Sequence, residues 1–191
     1  MALTKNARQD YSKKRKMRLE IGCPAAAEVK FMAKDKNKTN VMRILEQAGI
    51  PYQAHFYEHG KTAVDGVSVA SQLNQPLERV FKTLVTKGSG GDFYVFVIPV
   101  AKELNLKAAA RAVGEKAVEM IHVADINKVT GYIRGGCSPI GMKKPYKTVV
   151  DESCIGLPSM IFSGGKIGAQ VETAPQALLS FLHAGTAAIA E

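Results

Sequence analysis

Residues 80–86 and 93–100 are two β-rich runs separated by Gly88-Ser89-Gly90-Gly91-Asp92. Such a glycine-rich linker between apolar, β-branched stretches signals a hairpin. It fixes two antiparallel strands near the middle of the chain, so every other element must pack on or beside them. One residue in the first run stands out. Lys82 is the only charge within Val80-Phe81-Lys82-Thr83-Leu84-Val85. An ammonium is costly to bury without a partner, so a buried Lys82 would have to reach a cleft or an anion. Alternation along the strand leaves the other reading open, in which Lys82 sits on a solvated face with Leu84 and Thr86.

The rest of the pattern is mixed. Thr39 or Asn40 caps a helix with apolar residues at Val41, Ile44, Leu45 and Ala48, ended by Gly49. Residues 52–57 read as a strand, and residues 67–73 as a short helix with Asp65 at its cap. Residues 106–113 form an Ala-rich helix between Asn105 and Gly114. Residues 117–122 are a strand and residues 125–129 a short helix ending at Gly131. Short strands follow at 148–151, 160–163 and 169–173, then a helix that starts at Pro175 and presents Leu178, Leu179 and Leu182. Hairpins with interspersed helices indicate one α+β domain with a mixed sheet.

The 191 residues suit a single domain, and no apolar run is long enough for a membrane-spanning helix. The net charge of +9 is unevenly spread. Residues 1–31 hold eight Lys/Arg against three acids, including Lys13-Lys14-Arg15-Lys16. Residues 1–38 read as a basic, mobile arm, residues 39–185 as the folded domain and residues 186–191 as a tail. Met32-Ala33-Lys34 offers a second start for the chain. A basic arm on a mildly basic body suits a polyanion such as tRNA. Three cysteines, Cys23, Cys137 and Cys154, form no disulfide framework, which points to a reducing cytoplasm. Without CxxC or a Cys/His cluster no metal site is expected, and no cofactor motif is present.

The common nucleophile signatures are absent as well. Four histidines, His55, His59, His122 and His183, are scattered and read as structural or exposed. Either the chain is not an enzyme, or the substrate brings its own reactive group. Two glycine-rich loops, residues 135–141 and 163–168, let backbone N–H groups converge on an anion or a carbonyl oxygen. Read singly, each is also an ordinary turn. Tyr57-Glu58-His59 closes the strand before them; Tyr57 can bond a substrate or fill the core edge.

Together, Val80-Phe81-Lys82-Thr83-Leu84, the stretch from Thr130 through Gly135-Gly136-Cys137-Ser138-Pro139-Ile140-Gly141, and Ser163-Gly164-Gly165-Lys166 resemble the YbaK/EbsC family of tRNA-editing domains. The resemblance runs from about residue 39 to residue 182. It implies a mixed sheet or partly closed barrel surrounded by helices, and a cleft for the aminoacylated 3′ end of tRNA. It implies removal of cysteine from proline tRNA by attack of the substrate's own thiol on its ester, consistent with the missing nucleophile. On this resemblance Lys82 is the residue needed for activity, and Tyr57 and Thr83 line the pocket. Gly135, Gly136, Ser138 and Pro139 shape one wall; Ser163 and Gly164 shape the other. Prolyl-tRNA synthetase is the implied partner, with no membrane and no DNA specificity. Some relatives carry an acid after SGGK where this chain has Gln170, so no carboxylate role transfers there. Two further readings compete: a deacylase for another small residue such as alanine on the same tRNA, and a non-catalytic module that binds tRNA or synthetase.

Overall fold

The computed structural model describes residues 37–60 and 64–191. The basic arm and the second start at Met32 lie outside the described residues, apart from Asn37 and Lys38 at the arm's end. Lys38 pairs with Glu46 at 2.5 Å.

Helix α1 (Asn40–Gln47) is capped by Thr39, whose hydroxyl accepts from the Met42 amide at 3.3 Å. Its apolar stripe buries Val41, Met42 and Leu45. Strand β1 (Gln53–Phe56) leads to α2 (Gly66–Gln72), capped by the Asp65 carboxylate. A 3-10 turn at Leu77–Arg79 feeds the expected hairpin, β2 (Phe81–Gly88) and β3 (Phe93–Pro99), in which Lys82 faces Ile98 and Val85 faces Val95. Helix α3 (Leu106–Val113) has Asn105 as its cap and left-handed Gly114 as its end. Then come β4 (Val118–Met120), α4 (Val123–Thr130), β5 (Lys147–Asp151), β6 (Met160–Ser163), β7 (Ala169–Thr173), α5 (Pro175–Leu182) and β8 (Gly185–Ala187).

The strands form two sheets. One is antiparallel, in the order β1-β7-β6; the other runs β4-β2-β3-β5-β8, with β5 parallel to both β3 and β8. A parallel bridge between Val80 and Ile161 joins them. The sheet is mixed, as the sequence implies, and this bridge marks the extent of its closure toward a barrel.

β3 is covered on both faces, which is why its sequence is a continuous apolar run. Val95 and Val97 face a core with α1, Phe81, Val85, Phe162, Val171 and Leu178. Tyr94, Phe96 and Ile98 face a second core with Ala109, Ala110, Val113 and Ile189.

The end of the described chain corrects the sequence reading. Residues 186–191 are not a free tail. Gly185–Ala187 pairs with β5, Ile189 is fully buried, and the Asp151 carboxylate accepts from the Ile189 and Ala190 amides at 3.0 and 2.9 Å. Glu103 and Glu191 exchange backbone hydrogen bonds of 2.9 and 3.0 Å. Gly185 and Ala187 are poor strand formers and Thr186 alone gives little signal, so tertiary pairing makes this element. Ile189→Ala should therefore destabilise the fold by about 2–5 kcal/mol in urea denaturation. A change within about 0.5 kcal/mol, the usual size for an exposed position, would restore the tail reading.

Candidate active site

The bridge at Val80 and Ile161 sets the geometry of the site. Side chains alternate along a strand, so two residues further on Lys82 and Ser163 share the face that Val80 and Ile161 share. Ser163 is opposite Gln170 on β7, and Gln170 is opposite His55 on β1. Lys82, Ser163, Gln170 and His55 thus form a polar band across four strands. Tyr57 lies two residues beyond His55, and its amide donates to the Gly168 carbonyl at 3.1 Å, so it extends the same face. α2 covers the lower row, where Ala70 packs with Val80 and Ile161.

The charges on this face are paired in different ways. Lys82 Nζ donates to Glu103 Oε1 at 3.0 Å. The Lys82 side chain is 26 % exposed and that of Glu103 82 %, so the pair is open to solvent and readily exchanged for another anion. Glu172, opposite Gln53 in the lower row, is saturated: it accepts from Arg79, from Ser159 and from His55 Nε2, the last at 2.8 Å. Burial pushes its carboxyl up, but the Ser159 and His55 hydrogen bonds and the Arg79 charge outweigh it, and the group sits below the usual carboxylate range.

The two glycine loops pack against each other. A Cβ added at Gly136 would lie 3.1 Å from the Lys166 Cα and 3.2 Å from the Ile167 amide nitrogen, so a side chain there has to push the facing main chain back by a few tenths of an ångström. Beyond them, Gly168 takes a φ of +86° directly beneath the His59 ring. The loop 163–168 is tied by Gly164 N donating to the Ala169 carbonyl at 2.9 Å and Gly165 N donating to Ser163 Oγ at 3.3 Å.

The sequence-derived site residues separate into two groups. Lys82, Ser163 and Tyr57 belong to this face, Gly164 follows Ser163 in its loop, and Gly136 packs against Lys166 and Ile167 of that loop. Thr83, expected to line the pocket beside Lys82, projects to the opposite face with Phe81 and Val85, because neighbours on a strand point opposite ways; its hydroxyl is buried there. Ser138 is fully buried and accepts from the Ile140 amide at 3.4 Å, and Pro139 is buried beside it. These two brace the loop from inside, while Gly135 is exposed at its turn. Burial pushes the Cys137 thiol up to about 11, which holds it protonated at neutral pH.

His55, His59, Gln170 and Glu103 were not marked as site residues by sequence. The two-residue spacing of His55 and Tyr57 was an available signal for a shared face. Glu103 had none, since the turn after β3 brings it back to β2. Among the described residues, no three His, Cys, Asp or Glu side chains converge to hold a metal ion, and no helix is long and apolar enough to cross a membrane.

Residues 59–181 match the model of the aminoacyl-tRNA editing domain. The chain is 46 % identical over 154 residues to EbsC of Enterococcus faecalis, to which Cys-tRNA(Pro)/Cys-tRNA(Cys) deacylase activity is ascribed. That match covers 80 % of this chain and 94 % of EbsC. A proline–tRNA ligase of Thermosipho africanus is 32 % identical over 76 residues, 40 % of this chain and 13 % of the ligase. A crystal structure described as a trans-editing enzyme for prolyl-tRNA synthetase superposes with a TM-score of 0.67 at 25 % identity, over 79 % of this chain and 96 % of the other.

Since the backbone of one loop abuts Gly136, Gly136→Ala should drive the loops apart. The expected outcome is a loss of about 1–3 kcal/mol in thermal or chemical denaturation, with a loss of activity at this site. Unchanged stability and activity would show that the loops do not need their close approach.

Proposed function

The chain belongs to the family of aminoacyl-tRNA editing domains, and from that premise we propose that it deacylates Cys-tRNA(Pro) in trans, as a free-standing partner of prolyl-tRNA synthetase. The observation that carries the reading is the polar band itself, Lys82, Ser163, Gln170 and His55 on one face, with the glycine loop 163–168 running on from Ser163.

Lys82 supplies a cation for the terminal phosphate or the ribose oxygens of the acceptor end. Its exposed partner Glu103 is the anion that substrate displaces. Loop amides are the donors for the ester oxygen as charge develops on it. The nucleophile comes from the substrate. The cysteinyl sulfur attacks its own ester carbonyl, a C–S bond forms, the C–O bond to the ribose breaks, and the thiol proton passes to the departing ribose oxygen. Water then opens the cyclic thioester to free cysteine. The protein's part is to hold thiol and carbonyl in attacking geometry, which accounts for large rate effects without any protein nucleophile.

This chemistry answers a selection problem. Cysteine and proline are similar in size, and a synthetic pocket rejects near-isosteres poorly, so a second hydrolytic site restores accuracy. Cys137 and Cys154 are free thiols, which fits work in the cytoplasm alongside protein synthesis.

The test is deacylation of Cys-tRNA(Pro), Ala-tRNA(Pro) and the S-methylated cysteinyl substrate, in EDTA. Wild type and Cys137→Ala should release cysteine at similar rates and leave the other two esters intact. Lys82→Ala should lose roughly 100-fold or more while keeping its melting temperature. Hydrolysis of Ala-tRNA(Pro) would overturn the thiol mechanism, and full activity without Lys82 would overturn its role.

A further inference from the structure

On the site face, the two carboxylates and the Ser163 hydroxyl each already hold a donor: Glu103 holds Lys82, Glu172 takes Arg79, Ser159 and His55, and Ser163 Oγ takes the Gly165 amide. Gln170 differs. It is only 7 % exposed, and among the described residues its carboxamide oxygen is buried with no hydrogen-bond partner. It sits between Ser163 on β6 and His55 on β1, in the same band as Lys82. Stability does not explain that placement, because an apolar side chain of similar shape would avoid a buried, unpaired oxygen.

We propose that Gln170 determines specificity by accepting a hydrogen bond from the α-amino group of the aminoacyl ester. The inference rests on the deacylase reading. An α-amino group donates N–H whether charged or neutral, and it needs an acceptor inside the cleft. Lys82 and the amides of the glycine loops are donors and cannot serve it. A neutral amide suits the position better than a carboxylate would. β2 and β7 lie two strand spacings apart, roughly 10 Å, with β6 between them. Two long side chains can span that distance, so a carboxylate at 170 would draw Lys82 into an ion pair and away from substrate. The amide accepts without competing. Anchoring the amine also fixes the α-carbon, and with it the angle at which the thiol meets the ester carbonyl. The same contact selects free aminoacyl esters over tRNA carrying an N-acylated residue, where the nitrogen keeps one N–H and bears a bulky acyl group. Growing peptidyl chains are thereby spared.

The discriminating substrate is 3-mercaptopropionyl-tRNA(Pro), which keeps the thiol and lacks the amine. Wild type should deacylate it about 10- to 100-fold more slowly than Cys-tRNA(Pro), the range of one hydrogen bond to a charged group. Gln170→Met should slow on Cys-tRNA(Pro) by the same factor, treat the two substrates alike, and melt at the wild-type temperature or above it. Gln170→Glu, which keeps an acceptor oxygen, should retain the preference for the amine-bearing substrate even if its overall rate falls. The proposal is overturned if Gln170→Met keeps the wild-type preference, if it slows equally on both substrates, or if Gln170→Glu loses the preference. A wild-type protein inert toward both esters would instead overturn the deacylase reading beneath it.

Discussion

The pairing of Val80 with Ile161 is the constraint on which the site depends. It is a single parallel bridge between two sheets that are otherwise built separately. Because side chains alternate with a period of two, one bridge fixes which residues of both sheets look the same way. Shift it by one residue, and Ser163 and Gln170 face α1 and the core while Phe162 and Val171 face solvent. The buried contacts of Met160, Phe162, Val171 and Leu178 hold the register. The polar band is therefore a consequence of core packing on the other side of the same strands.

The lower row of that face explains how a cluster of charges can persist beside a working site. Arg79, Ser159 and His55 all converge on Glu172. A partly buried carboxylate is tolerable when donors converge on it, and here three do, from three segments. The arrangement also removes Glu172 as a competitor for Lys82. Glu103 is the opposite case: a mostly exposed carboxylate on a turn, backed by paired main chain from Glu191. One acid stabilises structure and the other is exchangeable, and the difference is set by burial and donor count rather than by residue type.

Much of this was legible in the sequence because it was local. The hairpin, the caps at Thr39, Asp65 and Asn105, the stops at Gly114 and Gly131, and Pro175 at the start of α5 each need only a few neighbouring residues. Lys82 was legible for the same reason, as a charge in an apolar strand. What failed to show was set by distant partners. β8 has no propensity worth the name and exists through β5. Glu103 is brought to Lys82 by the turn after β3. Thr83 entered the pocket on the family resemblance alone, whereas alternation along the strand already separates it from Lys82. Ser138 and Pro139 belong to a loop of the right composition, yet their side chains turn inward to support it.

The close approach of the two glycine loops ties these threads together. On the proposed mechanism, in which the substrate brings the nucleophile, rate comes from geometry and from donors that are already in place. Backbone amides held rigidly suit that role, since a mobile side chain gives up entropy when it is fixed. Gly136 against Lys166 and Ile167 places two main chains in direct contact, and Ser138 locks the loop behind them through the Ile140 amide. The buried Ser138 thus supports the loop from behind, and on the proposed substrate-thiol mechanism that rigidity is what the protein contributes to the rate.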